Sequence, residues 1–259
     1  MPCRATGSTT VRKVWKAVGT AAFWLAVWHL TATAANRSLL LPLPTPVDTL
    51  RALAAFGRTA VFWRSVGLSA LRIGGGFVLA WLTGALCAAG AHSWPVFRWL
   101  AEPLLRLIRA IPVAVFTIVV FLWVDRAYIP SVIVFLTVTP IVWSNVAAGL
   151  AAADGRLYEM AQVFGMKRWE VLRHITLPQV RPYAAAAAGT GLGFAWKSGI
   201  AAEVICRTQG SLGDLLWSGK TSVSYDEVFA LTVVIVACSA LLQSGAARLT
   251  GKETERDPV

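Results

Sequence analysis

Three charged residues lie inside or beside long apolar stretches of this 259-residue chain: Arg72, Lys197 and Glu203. Charges in such surroundings are costly, so they either pair with one another or attract a charged molecule that crosses the apolar layer. Lys197 and Glu203 are six positions apart, so they do not share a helix face at the i+3 or i+4 spacing. Arg72 with Glu203 is one candidate ion pair. Structural pairing or snorkelling of the long side chains is the alternative to binding an anion through Arg72 or Lys197.

Other reactive chemistry is not favoured by the sequence. The cysteines and histidines are dispersed and form no CxxC, so we expect no metal site and no disulfide framework. No Ser-His-Asp or paired-carboxylate arrangement is visible, so we expect no catalytic residue and no cofactor. The stretch GDLLWSGKTS, residues 213–222, looks like a phosphate-binding loop, but Asp214 occupies the position that must be glycine. We therefore expect no nucleotide site in this chain.

A polar, charge-dense segment (the polar segment, residues 151–183) contains the sequence EMAQVFGMKRWEVLRHITLPQVRP. Its first part has apolar residues at the spacing of an amphipathic helix: Leu157, Met160, Ala161 and Phe164. Gly165 follows, where a helix end favours a residue that tolerates positive φ. A second short helix is predicted from about Met166, and Pro178 and Pro182 are predicted to prevent its continuation.

The second helix of the polar segment also has two sides. Its apolar side consists of Trp169, Leu172 and Ile175, and its polar side of Lys167, Arg168, Glu170, Arg173 and His174. We therefore expect a helix–glycine–helix hairpin whose apolar stripe docks on neighbouring helices and whose charged tip is exposed. Such a tip suits a groove on a partner protein, although an interfacial helix that only anchors the loop has the same pattern.

Composition identifies the environment of these residues. The chain is 56% hydrophobic and only 14% charged, and its mean hydropathy is +0.62. A soluble domain needs more charge to cover its surface. The net charge of +11 comes without a basic cluster interleaved with aromatic residues, so a nucleic-acid partner is not indicated. We expect an all-α integral membrane protein in contact with lipid.

Six apolar runs are long enough to cross a bilayer or nearly so. They lie at about 17–35, 66–90, 110–125, 130–150, 184–206 and 227–247. The first run, with its basic flank, also resembles a cleavable signal peptide, but its length and its two Trp favour an uncleaved helix. The proline-rich stretch 41–50 favours an extended connection, and the three glycines at 74–76 interrupt the second run.

The distribution of Lys and Arg predicts the orientation. With the N-terminus in the cytoplasm, the inside segments hold roughly twice as many Lys and Arg as the outside ones. Both termini are then cytoplasmic, and the polar segment, between spans four and five, faces the cytoplasm. The organisation is an N-terminal tail (1–16), one membrane domain (17–250) and a C-terminal tail (251–259).

Small residues within the spans predict how the helices pack. Gly189 and Gly193 form a G-x-x-x-G pair that allows close approach of helices. The glycines at 74–76 could pack similarly or act as a hinge. Pro112 and Pro140 are expected to kink spans three and four.

The polar segment resembles the EAA loop of binding-protein-dependent ABC importer permeases. That loop reads E-A-A-x3-G-x9-I-x-L-P, and this chain has Glu159, Met160, Ala161, Gly165, Ile175, Leu177 and Pro178 at the corresponding positions. Met160 is the single departure, and it falls on the apolar stripe. The stretches LPLPTPVDTL and GLGFAWKSGIAAEVI are similar to segments of the nitrate/sulfonate/taurine branch, although these matches are shorter and less specific.

The resemblance implies a function, a set of partners and site residues. It implies an inner-membrane permease subunit that contacts a cytoplasmic ATPase, present in two copies, through the loop residues above together with Lys167 and Arg168. It also implies a permease homodimer, an extracytoplasmic binding protein, and a small solute such as a nitrate-, sulfonate- or taurine-like anion. Arg72, Lys197 and Glu203 are then hypothetical translocation-pathway residues. The alternatives are a neutral or cationic solute, such as a pyrimidine vitamin precursor, and a membrane scaffold or sensor.

Overall fold

The computed structural model describes residues 6–38 and 43–254, and these residues contain helices and no strand. In chain order the helices are α1 (Thr6–Ser38), α2 (Pro46–Gly57), α3 (Ala60–Ser93), α4 (Pro95–Ala110), α5 (Val113–Phe121), α6 (Ile129–Ala151), α7 (Gly155–Val163), α8 (Arg168–Val171), α9 (Leu177–Cys206), α10 (Leu212–Thr221) and α11 (Tyr225–Thr254). A π-helical turn, Leu172–Thr176, connects α8 to α9.

Four stretches of helix in the described ranges are long and apolar enough to cross a bilayer. They are Val18–Arg37 in α1, all of α3, all of α6, and Tyr225–Ala246 in α11, and they match predicted spans one, two, four and six. The fifth predicted span lies in α9, which has 30 residues but contains no stretch as apolar as those four. The all-α membrane class is confirmed, whereas the count of six spans stays a prediction.

The third predicted span, at about 110–125, contains only α5, which forms a bent pair with the preceding helix α4. α4 and α5 meet at an angle of 104°, with Pro112 as the N-cap of α5. The expected kink at this proline is therefore a sharp break. α5 has nine residues, or about 14 Å of helix, which is too short to cross an apolar layer of about 30 Å.

The helices fall into two compact units. One comprises α1, α2 and the stretch Ser218–Val233, and the other comprises Ala60–Trp217 and the chain from Val234. In the first unit, the Trp28 indole donates to the Pro44 carbonyl (3.1 Å) and stacks on Phe229 (5.8 Å between ring centroids). Residues 41–42 of the predicted extended connection lie outside the described residues.

α2 begins directly at Pro46, where a missing N–H costs nothing because this position has no intrahelical acceptor. The Thr45 hydroxyl caps the helix by accepting from the Asp48 N–H (3.3 Å) and donating to its carboxylate (2.6 Å). The Thr45 hydroxyl and the Thr45 backbone N–H (3.2 Å) both donate to the Asp48 carboxylate, and these two hydrogen bonds lower the pKa of that carboxyl.

The second unit is built on α3, α6 and α9. Fully buried side chains from all three helices form its core, among them Ile73, Ile133, Val134, Val138, Val142 and Ala202. α5 closes one side, where Val113, Phe116 and Val120 pack on the cluster formed by Ile129, Ile133, Ala202 and Cys206.

Glycines allow close contacts between these helices. Close contacts occur at Gly76 and Gly199, which are not the pair that the sequence suggested. A Cβ on Gly76 would lie 2.4 Å from the Ser131 carbonyl oxygen, and one on Gly199 would lie 2.5 Å from Ile73. Of the expected G-x-x-x-G pair, a Cβ on Gly193 would lie 3.3 Å from the Gln243 side chain, whereas a Cβ on Gly189 would meet nothing within 4 Å. The glycines at 74–76 do not interrupt α3, which is continuous to Ser93.

Candidate functional site

The polar segment begins with a capped helix that is tied to α9. The Asp154 carboxylate accepts from the Arg156 N–H (2.9 Å) at the start of α7. The Asp154 N–H in turn donates to the Gln179 side-chain oxygen (2.7 Å). Farther along, the Tyr158 and Thr176 hydroxyls are 3.1 Å apart. These contacts fix α7 against the start of α9.

Gly165 ends α7 as predicted. Its φ is +65°, a conformation that favours glycine because it has no Cβ. The Met166 N–H donates to the Ala161 carbonyl (3.0 Å) and the Gly165 N–H donates to the Gln162 carbonyl (3.1 Å). This pattern satisfies carbonyl groups at the end of the helix and reverses the chain.

The second predicted helix continues farther than expected. α8 starts where the Lys167 N–H donates to the Glu170 carboxylate (2.8 Å), and the helical path runs through the π-helical turn into α9. The prediction that Pro178 and Pro182 stop the helix is wrong. Pro178 lies in the first turn of α9, and Pro182 is accommodated inside that helix. The wider π-helical turn lies just before Pro178, where the Leu177 N–H donates to the Leu172 carbonyl.

The apolar stripe of the polar segment is mostly uncovered. Ala161 and Ile175 are buried as expected for a docked stripe. In contrast, the stripe residues Phe164 and Trp169 are 75% and 65% exposed, and Val163, which is not part of the predicted stripe, is 86% exposed. Docking of the stripe on neighbouring helices of this chain is therefore limited to Ala161 and Ile175, and most of the stripe remains exposed. These three side chains form the exposed apolar tip.

The remaining residues of the EAA-like pattern lie around this tip. Glu159, Lys167 and Arg168 are exposed, and Met160 and Leu177 are exposed by 43% and 53%. Pro178 is also exposed. The structure thus brings the motif together on one hairpin, with two buried anchors and a surface of mixed apolar and charged side chains.

Glu203 is fully buried near the end of α9. Its carboxylate accepts from the Ser69 hydroxyl (2.8 Å) and from the Gly213 N–H (3.2 Å). The Ser69 oxygen also accepts from the Leu212 N–H (2.9 Å). This set of contacts is the Glu203 clamp: it joins α3, the end of α9 and the first turn of α10.

Arg72 does not form the ion pair with Glu203 that the sequence suggested as a candidate. Its guanidinium donates to the Gln209 carbonyl (3.3 Å), and no Arg72–Glu203 contact within 4.0 Å occurs among the described residues. The Ser131 hydroxyl donates to the Arg72 backbone carbonyl (2.8 Å) and fixes this turn of α3 against α6. Ser69 takes the place of Arg72 because it lies one turn earlier on α3.

Lys197 lies on an exposed stripe of α9. The stripe contains Ala186, Thr190, Phe194 and Lys197, all exposed and spaced by three or four residues. On the neighbouring positions, Ala195, Trp196 and Ser198 are buried. In the part of the chain that the structure describes, no hydrogen bond or ion pair involves the Lys197 ammonium. Lys197 therefore differs from Arg72 and Glu203, which both have hydrogen-bond partners within the described chain.

Comparison with known proteins places these features in a family. Residues 77–250 match the model of the binding-protein-dependent transport system inner membrane component, which is more than half of the chain. The chain belongs to this family. It is a permease of the ABC importer type.

Two relatives and one solved structure illustrate the permease's similarity. It is 27% identical over 249 residues to the taurine transport system permease protein TauC of Escherichia coli (strain K12), covering 94% of this chain and 90% of that one. It is 24% identical to the putative aliphatic sulfonates transport permease protein SsuC of the same organism, covering 87% and 85%. A bacterial alginate ABC transporter crystallised with its periplasmic protein has the same fold, with a TM-score of 0.65, 14% identity and coverage of 97% and 98%.

Some residues of the permease site were not found from sequence. Ser69 and Leu212 carry no pattern that marks them as partners of Glu203. Gly213 had a weak signal, since an isolated glycine at a helix start often permits close backbone approach.

We predict that Gly213→Ala destabilises the permease by about 1–3 kcal/mol, the usual range for forced overpacking. A Cβ on Gly213 would lie 2.4 Å from the Glu203 Cβ and 2.6 Å from the Val204 nitrogen. The midpoint of thermal unfolding in detergent measures the effect. Gly189→Ala is the matched control, because its added Cβ meets nothing within 4 Å. Equal midpoints for the two variants would contradict the close approach at the clamp.

Proposed function

We propose that this permease forms the membrane pathway of an ATP-driven importer for a small oxyanion of the sulfonate class. The observation that carries the proposal is the similarity to the taurine permease over 94% of the chain. An extracytoplasmic binding protein delivers the solute, and two copies of the permease pair about a two-fold axis. Both termini are cytoplasmic, as the distribution of Lys and Arg predicts.

The polar segment transmits work from a cytoplasmic ATPase, of which two copies bind the permease pair. The exposed apolar tip supports this role, because Val163, Phe164 and Trp169 carry a large apolar area on a charged hairpin. Such side chains are favourable when they enter a groove on a partner protein. ATP-driven approach of the two ATPase subunits moves the hairpins, and the membrane helices respond as rigid bodies that open the pathway outward.

The pathway residue that we propose is Lys197. Its position on the exposed stripe of α9 leaves it available to a second permease copy and to a solute between the copies. A cation without a partner is unfavourable in an apolar layer unless it has such a role. Arg72 and Glu203 have protein partners in the structure, so we assign Glu203 to holding the helices and Arg72 to the outward end of the pathway.

The proposal is tested by uptake into proteoliposomes that contain the permease, its cognate ATPase and its cognate binding protein. We expect ATP-dependent uptake of radiolabelled taurine or ethanesulfonate, and no uptake with an ATPase that cannot hydrolyse ATP. Uptake of a neutral or cationic pyrimidine without competition by sulfonates would instead identify the other solute class. Failure of the permease to retain any ATPase in a pull-down would favour a scaffold or sensor.

A further inference from the structure

A cavity of about 810 Å³ lies at the end of α6 and α9 opposite the polar segment. Its lining comes from the first turns of α3, the connection between α5 and α6, and the loop after α9. The residues are Val61, Arg64, Ser65, Leu68, Arg72, Phe121, Val124, Asp125, Arg126, Ala127, Gln209 and Gly210. We call it the arginine cavity, because three of its lining side chains are guanidinium groups and one is a carboxylate.

The three arginines are held in different ways. Arg72 uses one N–H for the Gln209 carbonyl, and the Arg126 guanidinium lies 5.1 Å from the centroid of the Phe121 ring. Among the described residues, the Arg64 side chain has no hydrogen bond or ion pair. Most of the guanidinium donors around the cavity therefore have no protein acceptor.

The backbone that carries these arginines is fixed by contacts. The Thr208 hydroxyl donates to the Arg126 carbonyl (3.1 Å), and the Ser131 hydroxyl donates to the Arg72 carbonyl (2.8 Å). Asp125 uses its carboxylate to accept from the Ala127 N–H (2.9 Å), and it forms no ion pair within the described ranges. The backbone at Arg72 and Arg126 is thus held in place around a positively charged cavity, whose Arg64 and Arg126 residues are exposed.

Ser65 adds a second, independent indication of a ligand. Its residue is 1% exposed and lines the cavity. A buried hydroxyl in a helix ordinarily finds a partner, but no hydrogen bond of the Ser65 side chain is present in the described part of the chain. Its O–H is a neutral donor that lines the same cavity as Arg64 and Arg72.

We propose that the arginine cavity binds an oxyanion head group through Arg64, Ser65, Arg72 and Arg126. Guanidinium groups bind tetrahedral oxyanions with paired N–H donors, and three positive charges against one negative charge attract anions. α3 has 34 residues, or about 51 Å, so its first turns extend past an apolar layer of about 30 Å. The ligand is a solute sulfonate or a lipid phosphate, which share this chemistry. The solute assignment rests on the proposed function, in which this end faces outward.

Thiol labelling of an Ala127→Cys variant in sealed vesicles tests the site. The probes are anionic sulfonatoethyl methanethiosulfonate and cationic trimethylammonioethyl methanethiosulfonate, and the labelling of the native chain is subtracted. The measured quantity is the labelling rate with the anionic reagent divided by the rate with the cationic reagent. We expect this ratio to be about tenfold higher for the Ala127→Cys variant than for a free thiol in solution. Arg64→Gln, Arg72→Gln and Arg126→Gln should each lower this ratio, whereas Arg58→Gln, outside the cavity, should not. Tyr128→Cys, exposed and outside the lining, is the matched thiol and should show no preference.

Competition distinguishes the two sources of the oxyanion. If free ethanesulfonate slows labelling of Cys at position 127 in vesicles of phosphatidylcholine alone, the site binds a solute anion. If only added phosphatidylglycerol slows it, the site binds a lipid phosphate. A reagent ratio that the three arginine variants leave unchanged would overturn the proposal. The permease alone is sufficient for this experiment, so its failure leaves the uptake assay unaffected, and a failure of uptake leaves the labelling result standing.

Discussion

Replacement of Phe164 by aspartate is expected to abolish ATP-dependent uptake while the permease still accumulates in the membrane. Phe164 is 75% exposed at the exposed apolar tip, so its loss removes no packing within the chain. If the tip occupies a groove on the ATPase, the substitution removes an aromatic anchor and places a carboxylate in a desolvated pocket. Anchors of this kind contribute about 2–4 kcal/mol or more to binding, which corresponds to at least a thirtyfold loss of association. Uptake into proteoliposomes and retention of the ATPase in a pull-down measure the two effects.

Gln162→Asp is the matched control for this substitution. Gln162 is also exposed on α7, so the variant introduces the same charge two positions earlier without removing apolar area. We expect it to retain most uptake. Full retention of the ATPase by the Phe164→Asp permease would show that the tip does not make the coupling contact.

Lys197→Met should lower the rate of uptake by about ten- to a hundredfold without affecting assembly. The side chain is exposed and has no partner among the described residues, so methionine preserves its length and costs no native contact. A hydrogen bond between a charged donor and an anion contributes about 1.5–3 kcal/mol. Its loss in the pathway slows transport by about ten- to a hundredfold. The rate of ATP-dependent sulfonate uptake is the readout, and size-exclusion chromatography of the complex with the ATPase checks assembly.

Two further variants separate charge from bulk at this position. Lys197→Arg keeps the positive charge and should restore a substantial part of the uptake. Phe194→Met places methionine one turn earlier on the same exposed stripe and should transport normally. Unchanged uptake by Lys197→Met would exclude Lys197 from the pathway.

The polar segment shows how far sequence patterns reach. Gly165 ends α7 as predicted, because the requirement for positive φ depends on one residue and its local backbone. The roles predicted for Pro178 and Pro182 were wrong, because Pro178 lies in a first turn, where a missing N–H is tolerated, and Pro182 is accommodated inside α9. The exposure of Phe164 could not be predicted either, since helical periodicity identifies an apolar face but does not show what covers that face.

For the charged residues in the apolar stretches, the need for a partner could be predicted from the sequence, whereas the identity of the partner could not. The sequence identified Glu203 and Arg72 as costly and in need of partners, and the structure supplies partners to both. The sequence alone did not identify those partners. Ser69 and Gly213 are common residue types, and their proximity to Glu203 depends on the packing of α3, α9 and α10. The arginine cavity was similarly hidden, since Arg64 and Arg126 are distant in sequence and become neighbours only through the fold.

The unbroken helical path from Arg168 to Cys206 has a mechanical consequence. α8, the π-helical turn and α9 follow one another without an intervening loop, so in the coupling role that we propose we expect this path to move as one strut. Because no loop separates Trp169 from α9, we expect a displacement of Trp169 to tilt the whole helical path. The Glu203 clamp holds the opposite end of this path, at the end of α9, against α3 and α10. We expect the path to rotate about that end. Lys197 lies between these two ends, so the coupling role that we propose predicts that a tilt of α9 displaces the Lys197 ammonium sideways.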